Sequence, residues 1–205
     1  MIVSSKGKDF DPVPAGFYPA VCYSILDLGS EINEKFNSVQ RKVQITWEVP
    51  SLRIKINKDG ETKDLPRVIG KKYTASLSDK GYLRKDLESW RGKPFTEEEL
   101  KGFDIKKLLG VTCQLQIQHK LVGDKTYANV TAVINKSADQ QNLTPENPQV
   151  HYSIEDDREN LPELPEWLTD KIKASPEYKA LSVPEGHQEP DDGAIGDIDL
   201  DSIPF

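Results

Sequence analysis

The chain has 205 residues, 36% of them hydrophobic, enough for one modest core with appendages but not for two large ones. It carries no apolar run of membrane-spanning length, and Met1-Ile2-Val3-Ser4-Ser5-Lys6 lacks the apolar stretch of a signal peptide, so a cytoplasmic location is expected. The net charge of -7 hides an asymmetry: residues 1–134 hold 22 bases against 17 acids, residues 135–184 hold 5 against 10, and residues 185–205 hold 7 acids and no base. A mildly basic N-terminal part joined to an acidic arm points toward nucleic acid, which the net charge alone would exclude.

In chain order, Gly16 to Leu28 alternates around Phe17, Pro19, Val21, Tyr23 and Ile25 and predicts a first strand. Arg41 to Val49 predicts a second, with Val43, Ile45, Trp47 and Val49 on one face and Lys42, Gln44, Thr46 and Glu48 on the other, ended by Pro50. The charged stretch from Ser51 to Lys72 contains the turn signal Asp59-Gly60, so Leu52 to Ile56 is expected to form a small hairpin arm. Tyr73, Ala75 and Leu77 mark a third strand.

The period then changes. Leu83, Leu87 and Trp90 share a helical face, with Ser78 as the expected cap and Gly92 as the stop. Thr96 and Glu99 have capping-box spacing, with Phe95 placed to staple onto Leu100. Gly102 and Gly110 bracket a short turn carrying Ile105, Leu108 and Leu109. A fourth strand is expected from Val111 to His119, with Val111, Cys113, Leu115 and Ile117 inward; after a turn at Gly123-Asp124, Tyr127 to Ile134 gives a fifth. Cys22 and Cys113 fall inside apolar strands, far apart in sequence, and read as reduced core residues.

Three strands, a helix and two strands within residues 1–136 are the layout of a mainly β domain of OB-fold type, a five-stranded partly open barrel, although other small α+β domains share that order. Residues 137–182 read as a linker with an amphipathic helix on Leu164, Leu168 and Ile172, either docked on the barrel, the favoured reading, or reserved for a partner. Residues 183–205 read as a disordered acidic tail.

The end of that tail is the most specific signal. Asp197, Asp199 and Asp201 precede an apolar tip of Ile203, Pro204 and Phe205, which suits a partner pocket that is apolar inside and basic at its rim. Burial of the Phe205 ring would contribute about 1.5–3 kcal/mol. The ending Asp-Ile-Asp-Leu-Asp-Ser-Ile-Pro-Phe, residues 197–205, resembles the C-terminal tip of bacterial and phage single-stranded DNA-binding proteins. Ser202 stands where that family has a last acid, and the acids are spaced rather than contiguous. The segment from Leu83 to Phe95 also looks like one in phage-encoded proteins of this kind. The resemblance implies an OB-fold that binds single-stranded DNA in replication, recombination or repair, and a tip that recruits partner proteins.

Single-strand binding needs a basic groove and exposed rings. Candidate bases are Arg41, Lys42, Arg53, Lys55, Lys71, Lys72, Lys120 and Lys125, joined by Lys35 and Phe36 in the loop after the first strand. Phe36 is the leading stacking candidate, with Tyr18, Tyr73 and Tyr127 behind it; Trp47 and Trp90 read as core. Asp197-x-Asp199-x-Asp201 copies the start of a calcium loop, but Ser202 replaces the turn glycine and no bidentate Glu follows, so no metal is expected. His119, His151 and His187 are scattered and there is no phosphate loop or nucleophile elbow, so neither enzyme activity nor a cofactor is expected. Two rival expectations are a phage-encoded adaptor or decoy that uses the tip on host replication or repair proteins without binding DNA, and a nuclease or other nucleic-acid enzyme subunit.

Overall fold

The computed structural model describes residues 11–34, 37–58, 61–157 and 160–181. Lys35, Phe36 and every tail residue named above, Asp197 to Phe205 included, lie outside the described residues. The fold is mainly β. Strands β1 (Gly16–Asn33), β2 (Ser38–Lys58), β3 (Glu61–Thr74), β4 (Thr112–Val122) and β5 (Lys125–Ile134) form one antiparallel sheet in the order β3-β2-β1-β4-β5. The sheet curls strongly enough that β3 and β5, at opposite ends of that order, come into contact without a ladder between them.

The alternating residues supply the reason. Ala20, Cys22 and Ile25 of β1, Val43, Ile45, Trp47 and Val49 of β2, and Cys113, Leu115 and Ile117 of β4 all turn inward and are buried. Both cysteines are free, and burial pushes the Cys22 thiol up to about 12. Helix α1 (Tyr82–Arg91) adds Leu83, Leu87 and Trp90 to the same core, with the Trp90 ring 5.8 Å from that of Trp47. Helix α2 (Glu97–Lys101) opens on the expected capping box, Thr96 Oγ1 accepting from the Glu99 N–H and the Glu99 carboxylate from the Thr96 N–H. Ile105–Leu108 form a 3-10 turn that leads into β4.

Several boundaries differ from expectation. Strand β2 runs on past Pro50 to Lys58, with a register shift against β3 between Val49 and Arg53 that absorbs the proline. The charged stretch before Tyr73 is β3 itself, zipped to β2 through Lys58↔Glu61, so the expected arm is the outer half of a long hairpin. Ala75 and Leu77 lie beyond β3; Leu77 packs against the core from the connector. Gly81, not Ser78, is the N-cap of α1, because the Gly81 N–H donates to the Ser78 carbonyl in a turn that delays the helix. Val111 is 39% exposed and precedes β4, while Thr112 is buried.

The stretch read as a linker is structured and packs as a strap. Its β6 (Val150–Tyr152) pairs parallel with β1 at Ser24 to Leu26. It continues through α3 (Ile154–Asp157), α4 (Glu166–Ala174) and α5 (Pro176–Leu181). Leu168 and Ile172 of α4 join Tyr152 and Ile154 over Leu26 and Leu28 in a second small core on the opposite side of β1 from the first. At Gly29 (φ +70°) a Cβ would lie 2.2 Å from the Cβ of Ser175, so only glycine lets the α4–α5 junction close on β1.

Candidate nucleic-acid interface

The strap covers part of the outer sheet surface. Glu48, on the polar side of β2, is fully buried; its carboxylate accepts from the backbone N–H of Glu146 (2.8 Å) and of Asn147 (2.7 Å), and from Asn147 Nδ2 (2.6 Å). Thr112 Oγ1 accepts from the Leu143 N–H, 2.8 Å. Arg41 donates to Asp27 and to Glu155, both at 2.5 Å, so its charge is spent on holding α3 to the sheet. Arg53 is bound by Asp64 and Glu146 in the same way. The Glu31 carboxylate takes Lys72 and Lys171, and the Glu177 carboxylate takes the N–H and hydroxyl of Ser30.

Where β3 and β5 approach without pairing, a groove of 860 Å³ opens on the surface. Its walls are Gln40 and Lys42 of β2, Lys71 to Thr74 of β3, the Lys80–Ser89 region at and along α1, and Val130 to Val133 of β5. Five lysines, Lys42, Lys71, Lys72, Lys80 and Lys85, line it against one acid, Asp86. Asp86 is matched inside the wall: it accepts from Lys71 Nζ (2.6 Å) and from Tyr73 Oη (2.7 Å). Among the described residues, Lys42 Nζ bonds neutral oxygens alone, those of Gln40 and Thr74. Lys80 and Lys85 form no ion pair among the described residues. Above them stands Tyr82, 76% exposed at the first position of α1.

The expected site residues are therefore dispersed. Lys42, Lys71 and Lys72 meet in the groove; Lys55 is exposed on the β2–β3 arm beside Arg53; Lys120, Lys125 and the half-exposed Tyr127 share the β4–β5 hairpin, Lys120 directly opposite Tyr127. Tyr73, expected as a stacking ring, is 3% exposed and cannot meet a base: it faces inward in register with Val43. Burial, and after it the Asp86 charge and hydrogen bond, keep its phenol protonated far above the ordinary tyrosine range. Arg41 faces a different cleft, of 660 Å³, between the sheet, α1 and α3.

Lys80, Tyr82 and Lys85 were not among the expected residues. The signal for them was present: Tyr82, Lys85 and Ser89 sit at i, i+3 and i+7, a stripe beside the apolar face of the helix. A large ring in such a stripe is informative when the tertiary structure leaves it exposed.

The arrangement suits a flexible polyanion. Lysines give phosphates point charges without demanding one geometry, and an exposed ring offers a base its face. Among the described residues, no group of His, Cys, Asp or Glu is placed to hold a metal, and no helix is long and apolar enough to cross a membrane. Compared with known proteins, the chain matches no family model, no curated protein and no solved structure.

Proposed function

We propose that this chain is a non-enzymatic, cytoplasmic single-stranded DNA-binding protein, built on an OB-fold, that acts in replication, recombination or repair and recruits partner proteins through Asp197 to Phe205. The observation that carries the reading is the groove between β3 and β5, where Lys42, Lys80 and Lys85 have no acid partner among the described residues and stand beside the exposed ring of Tyr82. Supporting the OB-fold are the strand order β3-β2-β1-β4-β5, the approach of its two ends, and the helical insertion between β3 and β4. The tip at residues 197–205 supports recruitment and says little about DNA.

The test is fluorescence anisotropy of labelled oligo-dT with the full chain across a salt series. Three phosphate contacts predict that log K falls with log salt at a slope of about -2, since each contact to a single strand contributes about -0.7. Tyr82→Ala should cost about 1–3 kcal/mol for the lost stacking of one base. Absence of binding at low salt would overturn the reading in favour of an adaptor that works through the tip alone.

A further inference from the structure

A smaller pocket of 360 Å³ lies at the far end of α1 from Tyr82, between Trp90 and Arg91, Gly110 to Thr112, and Asn135, Lys136 and Asn142. Among the described residues, no carboxylate lines it. Arg91 is held on one side: its Nη2 pairs with Glu99 and its guanidinium lies over the rings of Phe95 (4.3 Å) and Phe103 (5.3 Å). Its Nη1 is buried and has no hydrogen-bond partner among the described residues, which costs free energy. Lys136 Nζ donates to the Gln140 carbonyl at 2.8 Å, which uses one of its three donors.

The pocket and the lysine groove lie along one seam. Lys85 and Ser89 of α1 and Val130 to Val133 of β5 line the groove; Arg91, two residues on, and Asn135 and Lys136, just past β5, line the pocket. At the junction the Asn135 N–H donates to the Ser89 carbonyl, 3.0 Å, tying the helix to the end of the strand. Gly92 (φ +68°) ends α1 there, and a Cβ on it would lie 2.6 Å from Asn135 Nδ2. From Tyr82 to Arg91 the helix rises about 14 Å. Arg91 lies about 180° round α1 from Tyr82, so a polyanion in the groove reaches this second set of donors by following β5 past the C-terminal end of the helix.

We propose that the Arg91–Lys136 pocket is a phosphate subsite for the same single strand, so that the DNA backbone runs along the α1–β5 seam rather than across the outer face of β1 and β2 covered by the strap. The proposal rests on the reading of the groove as a single-strand site. A guanidinium already fixed by Glu99 and two rings loses little freedom on taking a phosphate oxygen, and Lys136 adds a compact charge.

The experiment uses the full chain and oligo-dT of about twelve nucleotides, within the range that one such domain covers. Lys136→Ala should weaken binding about three- to tenfold at low salt and make the salt slope shallower by about 0.7, while Lys136→Arg keeps both near wild type. Asn135→Asp, which puts a negative charge in the pocket, should weaken binding further. Unchanged affinity and slope in Lys136→Ala and Asn135→Asp, with Lys42→Ala and Lys85→Ala still weakening binding, would overturn the subsite and leave the groove standing. Failure of the wild-type chain to bind oligo-dT would overturn both.

Discussion

Two regions of this molecule carry basic groups and differ in what faces them. Where the strap meets the sheet, Arg41, Arg53 and Lys171 each meet a carboxylate, and Glu48 is sealed beneath the Glu146–Asn147 turn. In the groove between β3 and β5, Lys71 and Lys72 are paired with Asp86 and Glu31, whereas Lys42, Lys80 and Lys85 form no ion pair among the described residues. The difference teaches that basic composition alone does not make an anion site. A charge paired within the fold holds the fold; a charge left over is available to a ligand.

That contrast can be broken at the strap. The largest effect is expected from Ile172→Ala, since Ile172 is fully buried in the second core and its truncation leaves a cavity. It should cost about 2–4 kcal/mol in urea unfolding and release the strap to proteolysis. Next comes Glu48→Ala, which leaves the N–H groups of Glu146 and Asn147 without their acceptor in a buried setting. It should cost about 2–3 kcal/mol, and a loss no larger than that of a surface substitution would show that the turn finds other partners.

Acid gives a smaller effect with a definite sign. Burial acts to raise the Glu177 carboxyl, but the hydrogen bonds from Ser30 outweigh it and hold the group below its ordinary value. Glu31 behaves alike, with Lys171 and Lys72 overcoming its burial. A carboxylate with a depressed folded pKa contributes stability that is full above its unfolded pKa and lost as pH falls through the folded one. Hydrogen exchange over α4 and α5 should therefore quicken as pH drops below about 4, after correction for the intrinsic rate, and not between about 6 and 8. The smallest effect belongs to the open groove: Lys80→Ala and Lys85→Ala should leave the thermal midpoint unchanged while weakening oligo-dT binding, because neither ammonium holds a partner among the described residues.

Much of the architecture was legible. The alternation through Val43, Ile45, Trp47 and Val49, the helical spacing of Leu83, Leu87 and Trp90, and the Thr96–Glu99 capping box are local patterns, and each appears in the structure. The amphipathic helix on Leu168 and Ile172 docks as favoured. What failed was non-local. Residues 61–72 look too charged for a strand, yet they pair with β2 because a hairpin is zipped by backbone bonds that composition does not report. Tyr73 looked like a stacking ring because its neighbours are lysines; strand register turns it to the core. The strap looked like a linker because polar residues such as Glu146 and Asn147 are its anchors, and the matching acceptor, Glu48, sits about a hundred residues away.

By itself the sequence determined the alternating segments of the first, second, fourth and fifth strands, the helix before the fourth and the charge asymmetry, because periodicity acts over a few residues. Only the tertiary structure decided which bases remain unpaired. Ion pairing depends on neighbours brought together from distant parts of the chain, as Arg41 is with Glu155 and Lys171 with Glu31, while Lys80 and Lys85 are left to the seam.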